Sequence, residues 1–164
     1  ICDRLHGNEF DIGLIEEIPS CRVFKQTRFL RDKMVLIIPY ANTIKDISSY
    51  INEFKFKRWI TRESSCSTRK FIELFLKENN INPEDIMMLG SNYAIKEAVK
   101  NNLGISIISK FVAGPAYKND EICILPLDDS YERYFSYILN NEDISECSEI
   151  FLNELRSFCK RFYK

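Results

Sequence analysis

The sequence predicts an α/β fold in which strands and helices alternate along the chain. Short apolar runs that are typical of strands are followed by segments with apolar residues at helical spacing, most clearly across residues 56–109. Such alternation favours a mostly parallel sheet with crossover helices. A chain of 164 residues is long enough for one domain or two small lobes with a real core.

The composition is that of an ordinary soluble globular protein, with 13% aromatic and 29% charged residues and a formal net charge of −1. No basic tract stands out, so we do not expect this chain by itself to bind DNA or a membrane surface. No apolar run is long enough to cross a bilayer, and the first residues do not resemble a signal peptide. These features predict a cytoplasmic protein.

Six cysteines and one histidine limit the metal and redox chemistry. No cysteine pair has CxxC spacing, so we predict neither a metal site nor a cofactor. An even count also fits three disulfides in a secreted protein, but the wide spacing favours free thiols. Cys123, Cys147 and Cys159 lie among apolar residues and are predicted to fill the core. Cys66 lies near a predicted helix N-terminus, but no histidine is close in sequence to serve as its base.

Before residue 56 the pattern indicates a helix end, three strands and a mixed segment. Residues 1–8 end a helix at Gly7. Strands are predicted at 10–15, 23–30 and 33–39, and residues 44–54 have apolar side chains at helical spacing. Gly13 lies inside the first of these strands, which indicates a close backbone approach or a bend.

After residue 56 the pattern alternates more regularly. Strands are predicted at 56–61, 85–89, 105–109, 122–127 and 134–139, with helices after residues 69 and 91 and a loop at 114–115. The last helix begins near residue 145, and its predicted apolar face consists of Phe151, Leu155, Phe158 and Phe162.

The most informative stretch is residues 62–69, where the strand at 56–61 passes into a helix. Four hydroxyls lie there with two guanidiniums: Ser64, Ser65, Ser67 and Thr68 with Arg62 and Arg69. The first turn of a helix has unpaired N–H groups and a positive dipole end, which together bind small anions. The stretch therefore predicts a site for a small anionic or polar ligand. An ordinary Ser/Thr N-cap is the open alternative.

Four segments in a fixed order carry a resemblance to a known family. They are residues 5–15 (LHGNEFDIGLI), 29–39 (FLRDKMVLIIP), 59–69 (WITRESSCSTR) and 91–109 (SNYAIKEAVKNNLGISIIS). With these segments the chain resembles the C-terminal effector-binding (substrate-binding) domain of LysR-type transcriptional regulators over nearly its whole length.

The resemblance implies a fold like that of the type 2 periplasmic binding proteins, with two α/β lobes joined by crossover strands and a ligand in the cleft. Lobe two would be residues 33–114, and lobe one residues 1–32 and 115–164. Lobe one would be incomplete, because the family's first strand, first helix and second strand have no counterpart here. The family's winged helix-turn-helix has none either, so DNA contact is expected only through such a domain. Side-by-side dimers in the family imply self-association.

The predicted ligand-binding residues are Thr61, Ser64, Ser65, Cys66, Ser67, Thr68, Arg69 and, from lobe one, Glu16. The hydroxyls would donate hydrogen bonds to an oxyanion, and Arg69 would clamp a carboxylate through two parallel hydrogen bonds. Glu16 follows a strand and so lies at its carboxyl end, where open α/β sheets bind ligands. For each residue a local role stays open, as a helix cap, a strand end or a solvent-exposed charge.

These observations predict the effector-sensing domain of a bacterial LysR-type transcription regulator, which binds a small polar molecule or an inorganic anion. Two other classes remain as alternatives. A solute-binding protein of a transport system could share the fold. An enzyme on a similar two-lobed fold is less favoured, because no acid–base pair can be located in the sequence and no catalytic residue is predicted.

Overall fold

In a computed structural model, the structure describes residues 1–16, 24–40, 51–139 and 144–162. Helices and strands alternate, which confirms the α/β class. The elements in chain order are α1 (Cys2–His6), β1 (Ile12–Ile15), β2 (Lys25–Pro39), α2 (Ile51–Phe54), β3 (Trp59–Thr61), α3 (Ser67–Glu78), β4 (Ile86–Met88), α4 (Asn92–Lys100), β5 (Ser106–Ser109), α5 (Lys110–Lys118), β6 (Ile122–Pro126), β7 (Glu132–Leu139), α6 (Glu146–Cys159) and a final 3₁₀ turn, Lys160–Phe162.

The two strands predicted at 23–30 and 33–39 form one long strand, β2. Residue 23 lies outside the described residues, as do residues 44–50 of the mixed segment at 44–54. The last part of that segment, Ile51–Phe54, is a short helix, which agrees with the helical spacing of its apolar residues.

The chain forms two compact units. The first unit comprises residues 1–32 and 133–164, and the second unit comprises residues 33–132. The chain leaves the first unit within β2 and returns to it within β7. Residues 115–132, which the sequence analysis placed in lobe one, group with the second unit, because β6 pairs with β2 and α5 packs against β5 and β6.

Sheet pairing is mixed, so the prediction of a mostly parallel sheet is wrong. β2 pairs antiparallel with both β5 and β6, and β1 pairs antiparallel with β7. Parallel pairing joins β3 to β4, and a bridge from Trp59 to Ile105 continues it towards β5. The apolar pattern of a strand reports which faces are buried but not the direction of its neighbour, so the sequence could not distinguish these cases.

In the second unit, β2 is buried on both faces. Alternate β2 residues enter two different apolar clusters, as the period of two along a strand requires. One cluster joins Met34, Leu36 and Ile38 to Trp59 and to Ile72 and Phe75 of α3. The other joins Val35 and Ile37 to apolar residues of α4 and α5: Ile95, Ala98, Val99, Ala113 and Ala116. Helices therefore cover both sides of this sheet, and their packing on β2 positions the N-termini of α3 and α4.

The loop predicted at residues 114–115 is wrong, because both residues lie inside α5. Pro115 removes one helical N–H donor, which is why proline usually ends a helix. Here Ala113 and Ala116 are fully or almost fully buried beside it. Their packing against β5, β6 and α4 holds the helical backbone through the proline.

The first unit packs α6 on a sheet made by β1, β7 and the first part of β2. Gly13 of β1 is the close approach that the sequence indicated, since a Cβ there would lie 2.8 Å from Ile1 Cγ2. The predicted apolar face of α6 is wrong for Phe151 and Phe158, which are 44% and 51% exposed. The buried residues of α6 are instead Ser148, Leu152 and Cys159.

The cysteine predictions have a divided outcome. Cys2, Cys66, Cys123, Cys147 and Cys159 are all free thiols, as predicted, whereas Cys21 lies outside the described residues. Cys159 is buried and Cys123 is half-buried against the first cluster, but Cys147 is exposed and does not fill the core. Among the described helices, none has both the length and the apolar character of a membrane span.

Candidate functional site

The predicted site residues of the second unit lie together, where β3 passes into α3. Thr61 is the last residue of β3, and its carbonyl accepts the Leu89 N–H at 2.9 Å, which brings the carboxyl ends of β3 and β4 side by side. Five residues follow before α3 begins at Ser67. Thr61 itself is 5% exposed, and its hydroxyl lies 3.4 Å from the Arg62 carbonyl. The structure therefore gives Thr61 a local hydrogen bond at the base of the site.

The N-terminus of α3 has no side-chain cap. Cys66 occupies the N-cap position with extended backbone, and its thiol makes no cap hydrogen bond. Ser64 and Ser65 are exposed in the preceding turn, and their hydroxyls make no hydrogen bond within the part of the chain that the structure describes. Ser67 is 9% exposed and Thr68 is fully buried. The hydroxyls available at the surface are therefore those of Ser64 and Ser65.

Arg62 and Glu63 form an ion pair at the edge of this turn. Arg62 Nε lies 2.9 Å from Glu63 Oε2 and Arg62 Nη2 lies 2.7 Å from Oε1, which is a bidentate geometry. The hydrogen bonds from Arg62 lower the pKa of the Glu63 carboxyl from 4.5 to about 2. The negative charge of Glu63, next to the predicted ligand-binding residues, is thus matched by a guanidinium.

Arg69 lies in the first turn of α3 and is already engaged. Its Nε donates to Glu73 Oε1 at 2.7 Å, one helical turn further along, and its Nη1 lies 3.4 Å from the Arg62 carbonyl. The Arg69 side chain is 32% exposed. To clamp a carboxylate through two parallel hydrogen bonds, Arg69 would have to exchange Glu73 for the ligand.

Glu16 belongs to the first unit, apart from the other predicted residues. Its carboxylate accepts a hydrogen bond from Arg133 Nη1 at 2.5 Å. Arg133 also donates through Nε to Asp32 at 2.9 Å, and the Asp32 side chain is fully buried. Glu16 therefore has a structural partner within its own unit, at the point where β2 and β7 leave that unit.

Asn92 lies beside these residues, although the sequence analysis did not include it among the predicted ligand-binding residues. Ser91 takes the cap, since its hydroxyl accepts the Ala94 N–H at 3.0 Å. Asn92 is the next residue, and its Nδ2 lies 3.4 Å from the Thr68 hydroxyl, which joins the first turns of α3 and α4. Its Oδ1 is buried and has no hydrogen-bond partner among the described residues. The sequence could not reveal this contact of Asn92 with Thr68, because Ser91 and Asn92 are both good N-cap residues and either could have taken the cap.

Within the described residues, no group of three or more His, Cys, Asp or Glu side chains is placed to hold a metal ion. What the geometry offers instead is a helix N-terminus without a side-chain cap, at the carboxyl ends of parallel strands. The exposed hydroxyls of Ser64 and Ser65 and two paired guanidiniums lie beside it. This arrangement is that of an α/β domain that binds a small polar or anionic molecule.

Comparison with known proteins identifies the family. A family model described as the LysR substrate binding domain matches residues 1–160, so the chain belongs to the LysR substrate-binding domain family. The HTH-type transcriptional regulator CysL of Bacillus subtilis is 30% identical over 162 residues, which are 96% of this chain and 54% of CysL. The HTH-type transcriptional activator CmpR of Synechocystis is 28% identical over 158 residues, which are 94% of this chain and 52% of CmpR. The chain thus spans about half the length of these relatives.

A solved structure supports the fold. The regulatory domain of CcmR from Synechocystis, in complex with 2-PG, matches with a TM-score of 0.74 and 24% sequence identity, and the match covers 97% of this chain and 78% of that chain. The chain therefore has the periplasmic-binding-protein-like fold of LysR effector-binding domains that the sequence predicted.

Proposed function

We propose that this chain is the effector-sensing domain of a bacterial LysR-type transcription regulator, and that it has no catalytic role. The observation that carries the proposal is the family match over residues 1–160, which is joined by relatives named as transcriptional regulators. In the whole protein, which we infer to act in the cytoplasm, effector binding controls DNA contact through a helix-turn-helix domain. Control of this kind requires that the effector bind two arrangements of the protein with different affinity.

We place the effector at the open N-terminus of α3. The N–H groups of the first turn of a helix have no intrahelical partner, and Cys66 supplies no side-chain cap in their place. The exposed hydroxyls of Ser64 and Ser65 add donors beside them. Such a set of donors fits a small oxyanion, as a carboxylate, a phosphate group or an inorganic anion. The 2-PG complex of CcmR is consistent with an anionic effector of this size.

Glu16, Thr61, Ser67, Thr68 and Arg69 have supporting roles in this proposal. Thr61, Ser67 and Thr68 are buried and shape the turn, whereas Arg69 contacts the ligand only after it releases Glu73. Glu16 acts through its pair with Arg133. The protein also self-associates, through the unpaired edge that β1 has among the described strands.

A ligand screen by thermal unfolding tests this function. A panel of inorganic anions, organic acids and amino acids is added to the purified chain, and at least one member is expected to raise the unfolding temperature. Ligand at a hundred times its Kd adds about 2.7 kcal/mol to the free energy of unfolding. No shift with any member of a broad panel would count against effector sensing by this chain.

The site is tested separately with a double variant, Ser64→Ala with Ser65→Ala. Both side chains are exposed and without partners in the described chain, so the fold should be unchanged. Loss of two hydroxyl donors is expected to weaken binding of the hit by about tenfold. Ser157→Ala, in an exposed position of α6, is the matched control. Equal affinity in all three proteins would leave the sensing function intact and remove α3 as the site.

A further inference from the structure

A cavity lies in the second unit, at the opposite end of β3 from the site described above. Its volume is about 460 Å³, within the range of small-molecule pockets. Three segments line it: Ile38 and Pro39 of β2 with Tyr40 after them, then Glu53, Phe54 and Phe56–Arg58 before β3, and finally Asn102–Ile105 before β5. A bridge shows that β3 runs parallel to the chain entering β5, and β3 is followed by α3. The cavity therefore lies at the amino ends of β3 and β5, whereas the proposed effector site follows the carboxyl end of β3.

The floor and the rim of this cavity are apolar. Ile38, Phe54 and Ile105 are each no more than 3% exposed, so the floor of the cavity is part of the packed core. At the rim, Phe56 and Leu103 are 67% and 46% exposed. When an apolar molecule covers large apolar side chains around a cavity, the removal of their surface from water lowers the free energy.

Two cationic side chains on the same rim have hydrogen-bond donors that no described residue uses. The Lys57 ammonium makes no hydrogen bond or ion pair with any residue that the structure describes. Arg58 uses its Nε on Asp85, at 2.6 Å, and its two terminal amino groups are unpaired within the same described residues. The lining includes one carboxylate, Glu53, against these two cations. An anionic group is therefore favoured at the rim, and an apolar body at the floor.

We propose that this cavity is a second ligand site, separate from the α3 site, which takes an amphipathic organic anion: an aromatic or alicyclic body with one carboxylate or sulfonate. The apolar body packs on Phe54 and Ile105, and the anionic group pairs with Lys57 and Arg58. The site lies within one unit and needs no residue of the other. A molecule bound there stabilises the second unit whether or not the effector is present.

The chain has a built-in reporter for this cavity. Trp59 is its single tryptophan, and the Trp59 indole N–H donates to the Phe54 carbonyl at 2.9 Å. The Phe54 ring meets the indole edge to face, with 6.5 Å between ring centroids. A ligand that packs on Phe54 must therefore change the environment of the one indole N–H in the protein.

The first test is a titration of the ¹⁵N-labelled chain with 8-anilinonaphthalene-1-sulfonate, a probe with an aromatic body and one sulfonate. We expect saturable shifts of the amide signals of residues 102–105 and of the Trp59 indole N–H. Amide signals of residues 64–69 are expected to stay in place. Absence of shifts at 102–105, with binding elsewhere or none, overturns the proposal without relying on any variant.

The second test measures the probe's Kd by its fluorescence in three variants. Lys57→Glu reverses the rim charge and is expected to weaken binding roughly fivefold or more. Lys110→Glu, at the exposed first residue of α5 and outside the lining, makes the same change in net charge and should leave the Kd unchanged. Ser64→Ala with Ser65→Ala should also leave it unchanged. An equal loss in Lys57→Glu and Lys110→Glu, or no loss in either, contradicts the proposed site.

Discussion

The Ser91 hydroxyl accepts the Ala94 N–H at 3.0 Å and so caps α4, while the neighbouring helix α3 begins without any such bond. The N-cap residue of α3 is Cys66, whose thiol is a weak acceptor. Two helices of the same unit thus begin differently. The sequence offers Ser64, Ser65 and Ser67 around Cys66, yet the cap position falls on the one residue of the group that cannot cap well.

This difference predicts that a residue able to cap α3 at position 66 raises the stability of the chain and lowers its affinity for the effector. Cys66→Asp introduces a cap and places a negative charge at the positive end of α3, so it should stabilise the chain by about 1 kcal/mol. The same carboxylate occupies the donors that an anionic effector needs, so effector affinity should fall by about tenfold or more. Denaturant unfolding and calorimetric titration measure the two quantities.

Cys147→Asp is the matched control for that substitution. Cys147 is an exposed residue of α6 in the other unit, so the change adds the same charge without adding a cap at α3. We expect effector affinity in this variant to match that of the unchanged chain. If Cys66→Asp kept full affinity, the open end of α3 could not be the anion site.

Substitutions at Arg69 and Glu73 should change effector affinity in opposite directions. If Arg69 binds the effector, Arg69→Lys should weaken binding several-fold, because an ammonium cannot reproduce the planar guanidinium fork. Glu73→Gln should strengthen binding by a similar factor, since it removes the competing partner of Arg69 Nε. Both residues are at least partly exposed, so the free energy of unfolding should change by less than about 0.5 kcal/mol. Calorimetric titration of both variants with one effector is the measurement, and unchanged affinity in both assigns Arg69 to helix support.

The Arg62–Glu63 pair predicts how anion binding depends on pH. Because the pKa of Glu63 is lowered to about 2, its carboxylate in the folded chain stays charged well below the ordinary pKa of 4.5. Its contribution to stability is fully present above about pH 4.5 and is lost as the pH falls towards 2. Sulfate affinity should therefore stay level from pH 7 to about pH 4.5 as far as Glu63 is concerned.

Glu63→Gln is the companion variant for this pH series. It removes one negative charge from the turn beside Ser64 and Ser65, so sulfate affinity should rise several-fold at pH 7. An affinity that climbs in the unchanged chain around pH 4.5, and does not climb in Glu63→Gln, would show that the pair is not formed in solution.

The sequence predicted the parts of this protein that depend on local chemistry. The helical spacing of Phe71 with Phe75 and of Ile72 with Leu76 placed α3, and Gly13 indicated a close approach or a bend in β1. It failed where tertiary packing decides. Pro115 reads as a loop in isolation, yet the burial of Ala113 and Ala116 keeps it helical. In α6 the larger phenylalanines form an exposed stripe, while Leu152 and the small residues Ser148 and Cys159 face inward.

The candidate site shows the same division. The strand-to-helix turn at residues 62–69 could be predicted, because hydroxyl and guanidinium residues cluster before an apolar helical stripe. The Arg69–Glu73 pair and the contact from Asn92 to Thr68 could not, because each depends on side-chain rotamers or on how α4 lies beside α3.

In the first unit, the buried pair of Arg133 and Asp32 predicts a large effect on stability. Arg133→Ala leaves the fully buried Asp32 carboxylate without this guanidinium and should cost about 3 kcal/mol or more of unfolding free energy. Arg156→Ala is the matched control, since Arg156 donates to the Tyr137 hydroxyl from a more exposed position and should cost about 1 kcal/mol. Urea unfolding compares the two. Equal costs would mean that the pair with Asp32 contributes no more than a surface hydrogen bond.

The edge position of β1 predicts self-association. Among the described residues β1 pairs only with β7, so its other edge has backbone N–H and C=O groups open to a further strand. Leu14 on this strand and the nearby Phe10 are 45% and 37% exposed. An open edge with apolar side chains is a template for pairing with another chain.

We therefore expect the 164-residue chain to form dimers or larger species at micromolar concentration, detected by light scattering coupled to size exclusion. Leu14→Lys places a charge on the strand edge, a change that opposes edge-to-edge pairing, and should shift the population towards monomer. Tyr117→Lys, at an exposed position in the second unit, is the matched control. The second unit should stay folded in all three proteins, because its strands and helices are contiguous within residues 33–132. A monomer at every concentration would show that β1 is not an associating edge, and equal association in Leu14→Lys and Tyr117→Lys would place the contact elsewhere.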